Sequence, residues 1–287
     1  MSSPAMLTPR SRTTYLSQGF TDAEIRRELS RGALTRICPG IYVDAQAYQT
    51  LTPSLQYTVR VRAEAARTPG LVVSHISAAA LHGLPLVRTS LATVHFTRPG
   101  SNGSRRTKGR RVHVGDLPGG WRATAGGIDL TAVARTVVDV GRTHSTATAI
   151  AAADAALRLR LTDAVSIAAA LTAARFCQGI PRAHRALRLV DGRAESPGET
   201  LLRLAIRGGG LPEPELQVEI RDEHGQFVGR TDLALLAYGI LIEFDGRSKY
   251  TDLLLPGQNI TDVVLDEKHP GGAAHRAGLA RHPREME

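Results

Sequence analysis

Between Thr21 and Gly32 (TDAEIRRELSRG) the apolar residues Ile25 and Leu29 stand four positions apart among charged neighbours, the period of one buried helix face. Thr21 supplies an N-cap, Glu24 its capping-box partner three residues on, and Gly32 a stop. A short helix ending near Gly19 is expected before it. The pattern then shortens. Ala33 to Ile37 and Ile41 to Val43 are brief apolar runs joined by Cys38-Pro39-Gly40, a turn signal between two strands.

Further along, Ser74 to Pro85 reads as a short alanine-rich helix capped by Ser74 and ended by Gly83 and Pro85. Thr131 is placed to cap another helix, whose Val133, Val137 and Val140 form a buried stripe. On that helix Arg135 and Asp139 stand four apart and can pair. From Ser145 to Val190 the chain is rich in alanine and leucine, predicting packed helices over 145–160, 163–175 and 181–190. Asp154, set among alanines in the first of these, is read as an interhelical bond rather than a catalyst.

Asp191 to Ser196 (DGRAES) is a polar linker and marks a boundary. Ser196-Pro197-Gly198-Glu199 opens a helix with an N-cap, a Pro at the first position and a Glu at the third. Three strands are expected after it, Leu216 to Arg221, Val228 to Leu236 and Ile240 to Phe244. In the last strand Ile240, Ile242 and Phe244 face one side, and Glu243 and Asp245 share the other. Asp232 sits mid-strand in the neighbouring arm, where an apolar residue is cheaper. Asp232, Glu243 and Asp245 can thus converge on one Mg2+, a hard ion that takes oxygen ligands, with Lys249 following and Glu199 adding an outer carboxylate. The competing readings are a salt-bridged sheet face for the trio and a plain capping box for Glu199.

Composition narrows the partners. The 287 residues carry 36 Lys and Arg against 27 Asp and Glu, a net charge of +9. The stretch Arg98 to Arg122 holds seven cations against Asp116, a net +6 of that total. Within it Pro99 to Ser104 cannot hold a helix and reads as an exposed loop. Such a basic Gly/Ser loop suits a phosphate backbone through counterion release, the alternative being a solvated loop. Helix, turn, helix and a two-stranded wing is the layout of a winged helix, in which Arg26, Arg27, Arg31 and Arg36 can serve phosphates or base edges. An ordinary helical domain with a solvated Arg face is the alternative. Arg105, Arg106, Lys108, Arg110 and Arg111 extend the expected DNA-binding set. No apolar stretch reaches membrane-span length and the first twenty residues lack an apolar signal core, so a cytoplasmic protein without a membrane partner is expected. Cys38 and Cys177 have no metal-ligand spacing around them. His75, His82, His95 and His113 lack a tight pair such as His-x3-His and are read as structural histidines rather than ligands.

The run GFTDAEIRRELSRGALTRICPGIYV resembles the N-terminal winged helix of AbiEi-type antitoxins of type IV toxin-antitoxin systems. The resemblance continues through Ser74-His75-Ile76-Ser77-Ala78-Ala79-Ala80-Leu81-His82-Gly83-Leu84-Pro85, Val94-His95-Phe96, Ile128 to Leu130 and Thr131 to Asp139, which are similar to the middle domain of actinobacterial proteins of this group. It covers about residues 13 to 175. It implies DNA binding, repression of the protein's own operon and a nucleotidyltransferase-type toxin as partner. Arg230-Thr231-Asp232-Leu233, Ile242-Glu243-Phe244-Asp245-Gly246 and Lys249-Tyr250 resemble the Vsr-like branch of the PD-(D/E)XK nucleases. That likeness implies Asp232 and Glu243 as Mg2+ ligands, Asp245 as a third carboxylate, Lys249 as the basic residue and Glu199 as the helix glutamate of an endonuclease or nickase.

The fold expected is therefore α+β and multidomain. Residues 1–50 form a winged helix-turn-helix, 51–190 a mostly helical middle domain and 195–268 an αβββ restriction-endonuclease-like core, followed by an irregular tail over 269–287. A helix is expected from Ile260 to Lys268. The pattern fails after Lys268, where the fold needs a closing strand, and this reads as a truncated or out-of-frame C-terminus.

Overall fold

A computed structural model describes residues 7–100, 103 and 105–244, with the backbone alone at 105 and 106. The chain is a mixed α+β protein. The expected helix at 260–268 and the tail lie outside the described residues.

The first elements are β1 (Arg10–Ser11), α1 (Arg12–Ser17), α2 (Asp22–Ser30), β2 (Leu34–Cys38) and β3 (Ile41–Asp44), with the strands in the antiparallel order β1-β3-β2. Local chemistry sets both ends of α2. Thr21 Oγ1 accepts from the Glu24 amide at 3.2 Å while the Glu24 carboxylate accepts from the Thr21 amide at 2.7 Å, so the expected capping box is present. At the other end Gly32 turns left-handed at φ +72°, and the Gly32 and Ala33 amides return to the Leu29 and Glu28 carbonyls. This is a Schellman stop, which needs a residue without Cβ at that position. Tyr15, Ile25 and Tyr42 make the small core, with Leu16, Leu29 and Leu34 against it.

The middle of the chain holds α3 (Ala45–Gln49), α4 (Pro53–Ala66), β4 (Val72–Val73), α5 (His75–Leu81), β5 (Val94–Arg98), β6 (Arg105–Thr107), β7 (Arg110–Val114), β8 (Arg122–Ala125), β9 (Ile128–Thr131), α6 (Val133–Thr143), α7 (Thr146–Arg158), α8 (Ala164–Ala173) and α9 (Ile180–Leu187). Helices predominate as expected, but a six-stranded mixed sheet, ordered β6-β7-β5-β4-β9-β8, runs through this segment. β4 pairs antiparallel to β5 and parallel to β9, and β5 pairs parallel to β7. Val73, Phe96 and Leu130 on the sheet pack with Ile76 of α5, Val137 of α6 and Ile150 of α7 in the main core. Small side chains let the helices approach closely: a Cβ on Gly141 of α6 meets Ala183 of α9 at 3.1 Å. Two expected caps act differently. The Ser74 hydroxyl bonds His75 Nδ1 at 2.9 Å instead of a helix amide. Thr131 lies one residue too early, Ala132 taking the N-cap position, and its hydroxyl bonds Thr136 Oγ1 at 2.7 Å.

The last described elements are α10 (Pro197–Gly208), β10 (Glu215–Arg221), β11 (Phe227–Leu235) and β12 (Ile240–Ile242), an αβββ order with an antiparallel meander β10-β11-β12. Ser196 caps α10 on the Glu199 amide at 3.1 Å. Ile206, Leu216, Leu233 and Leu235 form its core. Asp154 of α7 joins this segment to the middle one. It accepts from the Thr200 hydroxyl at 2.8 Å, the Asp191 amide at 2.7 Å and the Arg203 guanidinium at 3.2 Å, the interhelical role expected of it. No helix among the described residues is long and apolar enough to cross a membrane.

Candidate functional site

The first candidate is the outer face of α2. Ile25 and Leu29 turn inward, so the helical period sends Arg26, Arg27 and Arg31 outward, and all three are exposed, as is Arg36 on β2. Arg31 reaches Glu28 at 3.7 Å on the surface, a pair worth little in water. The preceding helix is tied on by Arg12, whose Nε donates to Asp22 at 2.7 Å. That guanidinium holds the Asp22 carboxyl below its usual range, and the Thr21 amide does the same for Glu24. Both acids are thus committed to holding α2.

The basic stretch from Arg98 to Arg122 is more ordered than a loop. Arg105 and Arg106 lie on β6, the edge strand of the six-stranded sheet, and Arg110 and Arg111 lie on β7. Arg110 is half-buried, with its Nε 3.4 Å from the Glu64 carboxylate, and Arg122 donates to the Leu117 carbonyl at 3.0 Å. Those two cations serve the fold. Lys108, in the β6–β7 turn, and Arg111 are exposed.

At the C-terminal carboxylates, antiparallel pairing of Leu233 with Ile242 sets Asp232 opposite Glu243 one step further on. The Asp232 carboxylate accepts from the Phe244 amide at 2.8 Å. Glu199, 4% exposed, accepts from the Glu195 amide at 2.8 Å and from the Gln217 side chain at 3.0 Å. Asp232 and Glu199 are thus both held by donors of the chain itself. Among the described residues Glu199, Asp232 and Glu243 do not form a trio with donor atoms within 4.8 Å of one another. Asp245 and Lys249 lie outside the described residues.

The donors that do converge are histidines. His75, His95 and His113 bring one ring nitrogen each within 4.8 Å of the other two. β4 ends at Val73 and delivers His75 to the start of α5, while β5 and β7 run parallel with Thr97 beside His113. His95 and His113 therefore share a face of the sheet, two residues apart in register. His95 Nδ1 and His113 Nε2 share a hydrogen at 3.0 Å, and the His75 ring stacks on His113 with centroids 3.7 Å apart. His144, which ends α6, places its ring 5.6 Å from that of His95. Burial pushes His75 well below the usual imidazole range. Burial, reinforced by Arg111 and Arg142, lowers His113 to about 3, and burial with Arg182 and Arg111 lowers His144 to about 4. Those three rings are neutral at pH 7. His82 is separate, its Nε2–H donating to the Thr131 carbonyl at 2.8 Å. The structural reading of the four histidines holds for His82 and misses the clustering of His75, His95 and His113.

On α6 Asp139, 0% exposed, is gripped from both sides. Arg135 Nε donates to it at 3.0 Å and Arg142 at 2.7 and 3.2 Å. The expected Arg135–Asp139 pair is present, with Arg142 as a second partner.

The fold and these clusters define a mixed α+β protein with a basic N-terminal helix face, a buried histidine group and a carboxylate-bearing meander. No family model matches the chain. Two Mycobacterium tuberculosis proteins, uncharacterized protein Rv2248 of strain ATCC 25618 / H37Rv and uncharacterized protein MT2308 of strain CDC 1551 / Oshkosh, are each 30% identical to it over 278 residues, 92% of this chain and 97% of theirs. The chain belongs to the family of these two proteins.

Proposed function

We propose that the chain binds DNA through α2, as a regulator of the AbiEi antitoxin type. The observation that carries this reading is the exposed Arg26-Arg27-Arg31 face on the second helix of a helix-turn-helix-hairpin unit, with Arg36 on the hairpin. A helix of nine residues is about 14 Å long and fits a major groove about 12 Å wide. Arginine serves there because its fork reads guanine or clamps phosphate. In this reading residues 1–50 are a winged-helix domain, Arg111 and Lys108 add phosphate contacts from the sheet edge, and the protein is cytoplasmic. Repression of its own operon and a nucleotidyltransferase-type toxin partner follow from the family resemblance.

The test is binding of the full chain to its own upstream DNA and to scrambled DNA at two salt concentrations, beside the R26A/R27A/R31A variant. Preference for the upstream DNA is expected, and losing three phosphate contacts flattens the dependence of log K on log salt by about 3. Equal affinity for both DNAs, or a variant that binds like the parent, refutes the reading.

A second reading, a Vsr-like Mg2+ endonuclease over 195–268, is favoured by the αβββ order and by the opposition of Asp232 and Glu243. The described carboxylates do not fit an Mg2+ ion by themselves, since Asp232 and Glu199 are taken up by the chain's own donors and do not converge with Glu243. No catalytic step is derived from them. The reading requires metal-dependent cleavage that D232A and E243A abolish while DNA binding persists; cleavage unchanged in both variants excludes this site.

A further inference from the structure

We propose that His75, His95 and His113 form a binding site for one borderline divalent transition-metal ion of the Zn2+ type, joining the start of α5 to strands β5 and β7. Three elements distant in sequence each contribute one imidazole, and their nitrogens gather within 4.8 Å. Packing alone favours apolar side chains at such positions, because every buried ring nitrogen needs a partner.

One nitrogen has none among the described residues. His75 is 1% exposed, its Nδ1 lies 2.9 Å from the Ser74 hydroxyl, and its Nε2 is buried without a hydrogen-bond partner. An orphaned buried polar atom costs about 1–3 kcal/mol, and a metal ion satisfies it. The Ser74 contact is the outer partner that a ligating histidine uses: Nδ1–H donates to the hydroxyl, which leaves Nε2 as a bare lone pair. His75 also holds φ +56°, a left-handed conformation uncommon outside glycine.

The donor set selects the ion. Three imidazoles, without a carboxylate or thiolate in the group, suit Zn2+, Co2+, Ni2+ or Cu2+ and reject Mg2+ and Ca2+. Two ligands of a tetrahedral Zn2+ at about 2.0–2.1 Å stand about 3.3 Å apart, close to the 3.0 Å between His95 Nδ1 and His113 Nε2. The rings of His75 and His113 are 17° from parallel, so closing on one ion requires His113 to rotate. His113 is the least buried of the three. The fourth position falls to water or to His144, beside His95.

The experiment uses the full chain, stripped with chelator and titrated with Zn2+ by calorimetry and with Co2+ by visible absorption, alongside H95Q, H113Q and the control H82N. One Zn2+ per chain at micromolar affinity or tighter is expected, with the intense Co2+ bands of a tetrahedral site. H95Q and H113Q should each weaken binding at least tenfold, while H82N leaves it unchanged. Circular dichroism of the stripped variants separates a lost ligand from a lost fold, and H113Q, at the half-buried position, is the variant most able to fold. Wild-type protein that binds less than one ion per chain overturns the proposal, as does a folded H113Q with unchanged affinity. Mg2+ binding equal to that of Zn2+ also overturns it. The outcome is independent of the α2 arginines and of Asp232 and Glu243.

Discussion

Replacing Asp139 tests the electrostatics of the buried ion-pair group on α6. Its carboxylate is fully buried and faces two guanidiniums whose side chains are 4% and 11% exposed for Arg135 and Arg142. Asp139→Asn preserves volume and removes the charge, leaving both cations, among the described residues, with neutral partners, the Asp116 carbonyl for Arg135 and the Gln178 carbonyl for Arg142. Two unit charges about 4 Å apart attract by about 4 kcal/mol at an effective dielectric of 20. Removing one partner of a buried pair costs about 3–5 kcal/mol, because the remaining charge stays desolvated. At about 2–4 °C per kcal/mol for a chain of this size, Tm should fall by about 6–20 °C. Circular dichroism during heating and in urea measures the loss. The cause is isolated by Arg135→Met in the Asp139→Asn background: removing the stranded cation should recover part of the stability. A loss below about 1 kcal/mol in D139N, or a double variant no more stable than D139N, refutes the reasoning.

Two further expectations concern the α10 segment. A Cβ on Gly198 falls 2.1 Å from Phe244 Cε1, so Gly198→Ala must displace the ring and should cost about 1–3 kcal/mol, whereas Gly208→Ala in the same helix meets nothing and should be neutral or stabilising by up to about 1 kcal/mol. Urea midpoints decide this, and G198A as stable as the parent sinks the packing argument. Burial raises the Asp154 carboxyl to about 6, above its value of about 3.9 in the unfolded chain. Between those values the folded protein holds on Asp154 a proton that the unfolded chain has released, so Asp154 alone lowers stability as pH rises from about 4 to 6, against the opposite slope of His75, His113 and His144, which are neutral in the fold where the unfolded chain is protonated. The window is worth about 3 kcal/mol. Unfolding of the parent and of Asp154→Asn measured at pH 4, 5, 6 and 7 isolates this contribution: stability should rise with pH more steeply in the variant, and the same slope in both refutes it.

The parts legible in the sequence are those whose cause is local. Thr21 with Glu24, Gly32 after the last turn of α2, and Ser196 before Pro197 each act within a few residues, and the structure places each where its spacing implies. Arg135 and Asp139, one helical turn apart, are the same case. The six-stranded sheet is hidden in the sequence because its central strand β4 is only Val72–Val73, too short for a period-two pattern to register, and because β4 with β9 and β5 with β7 pair in parallel across many intervening residues. The strands of the basic stretch are hidden for the same reason: Arg105 to Thr107 and Arg110 to Val114 become strands only by pairing with each other and with β5.

The histidines show the same limit most sharply. Close spacing does not mark His75, His95 and His113, which are separated by 20 and 18 positions and meet only because β5 and β7 lie side by side behind the turn out of β4. Their sequence signal is of another kind. His95 stands between Val94 and Phe96, and His113 between Val112 and Val114, while His75 follows Val72 and Val73 and precedes Ile76. In each run a polar ring occupies a position that burial would give to an apolar side chain at lower cost. One such intrusion is met by a single hydrogen bond, as His82 is met by the Thr131 carbonyl. Three intrusions gather on β5, β7 and the start of α5, and the unsatisfied Nε2 of His75 is where a deficit shows.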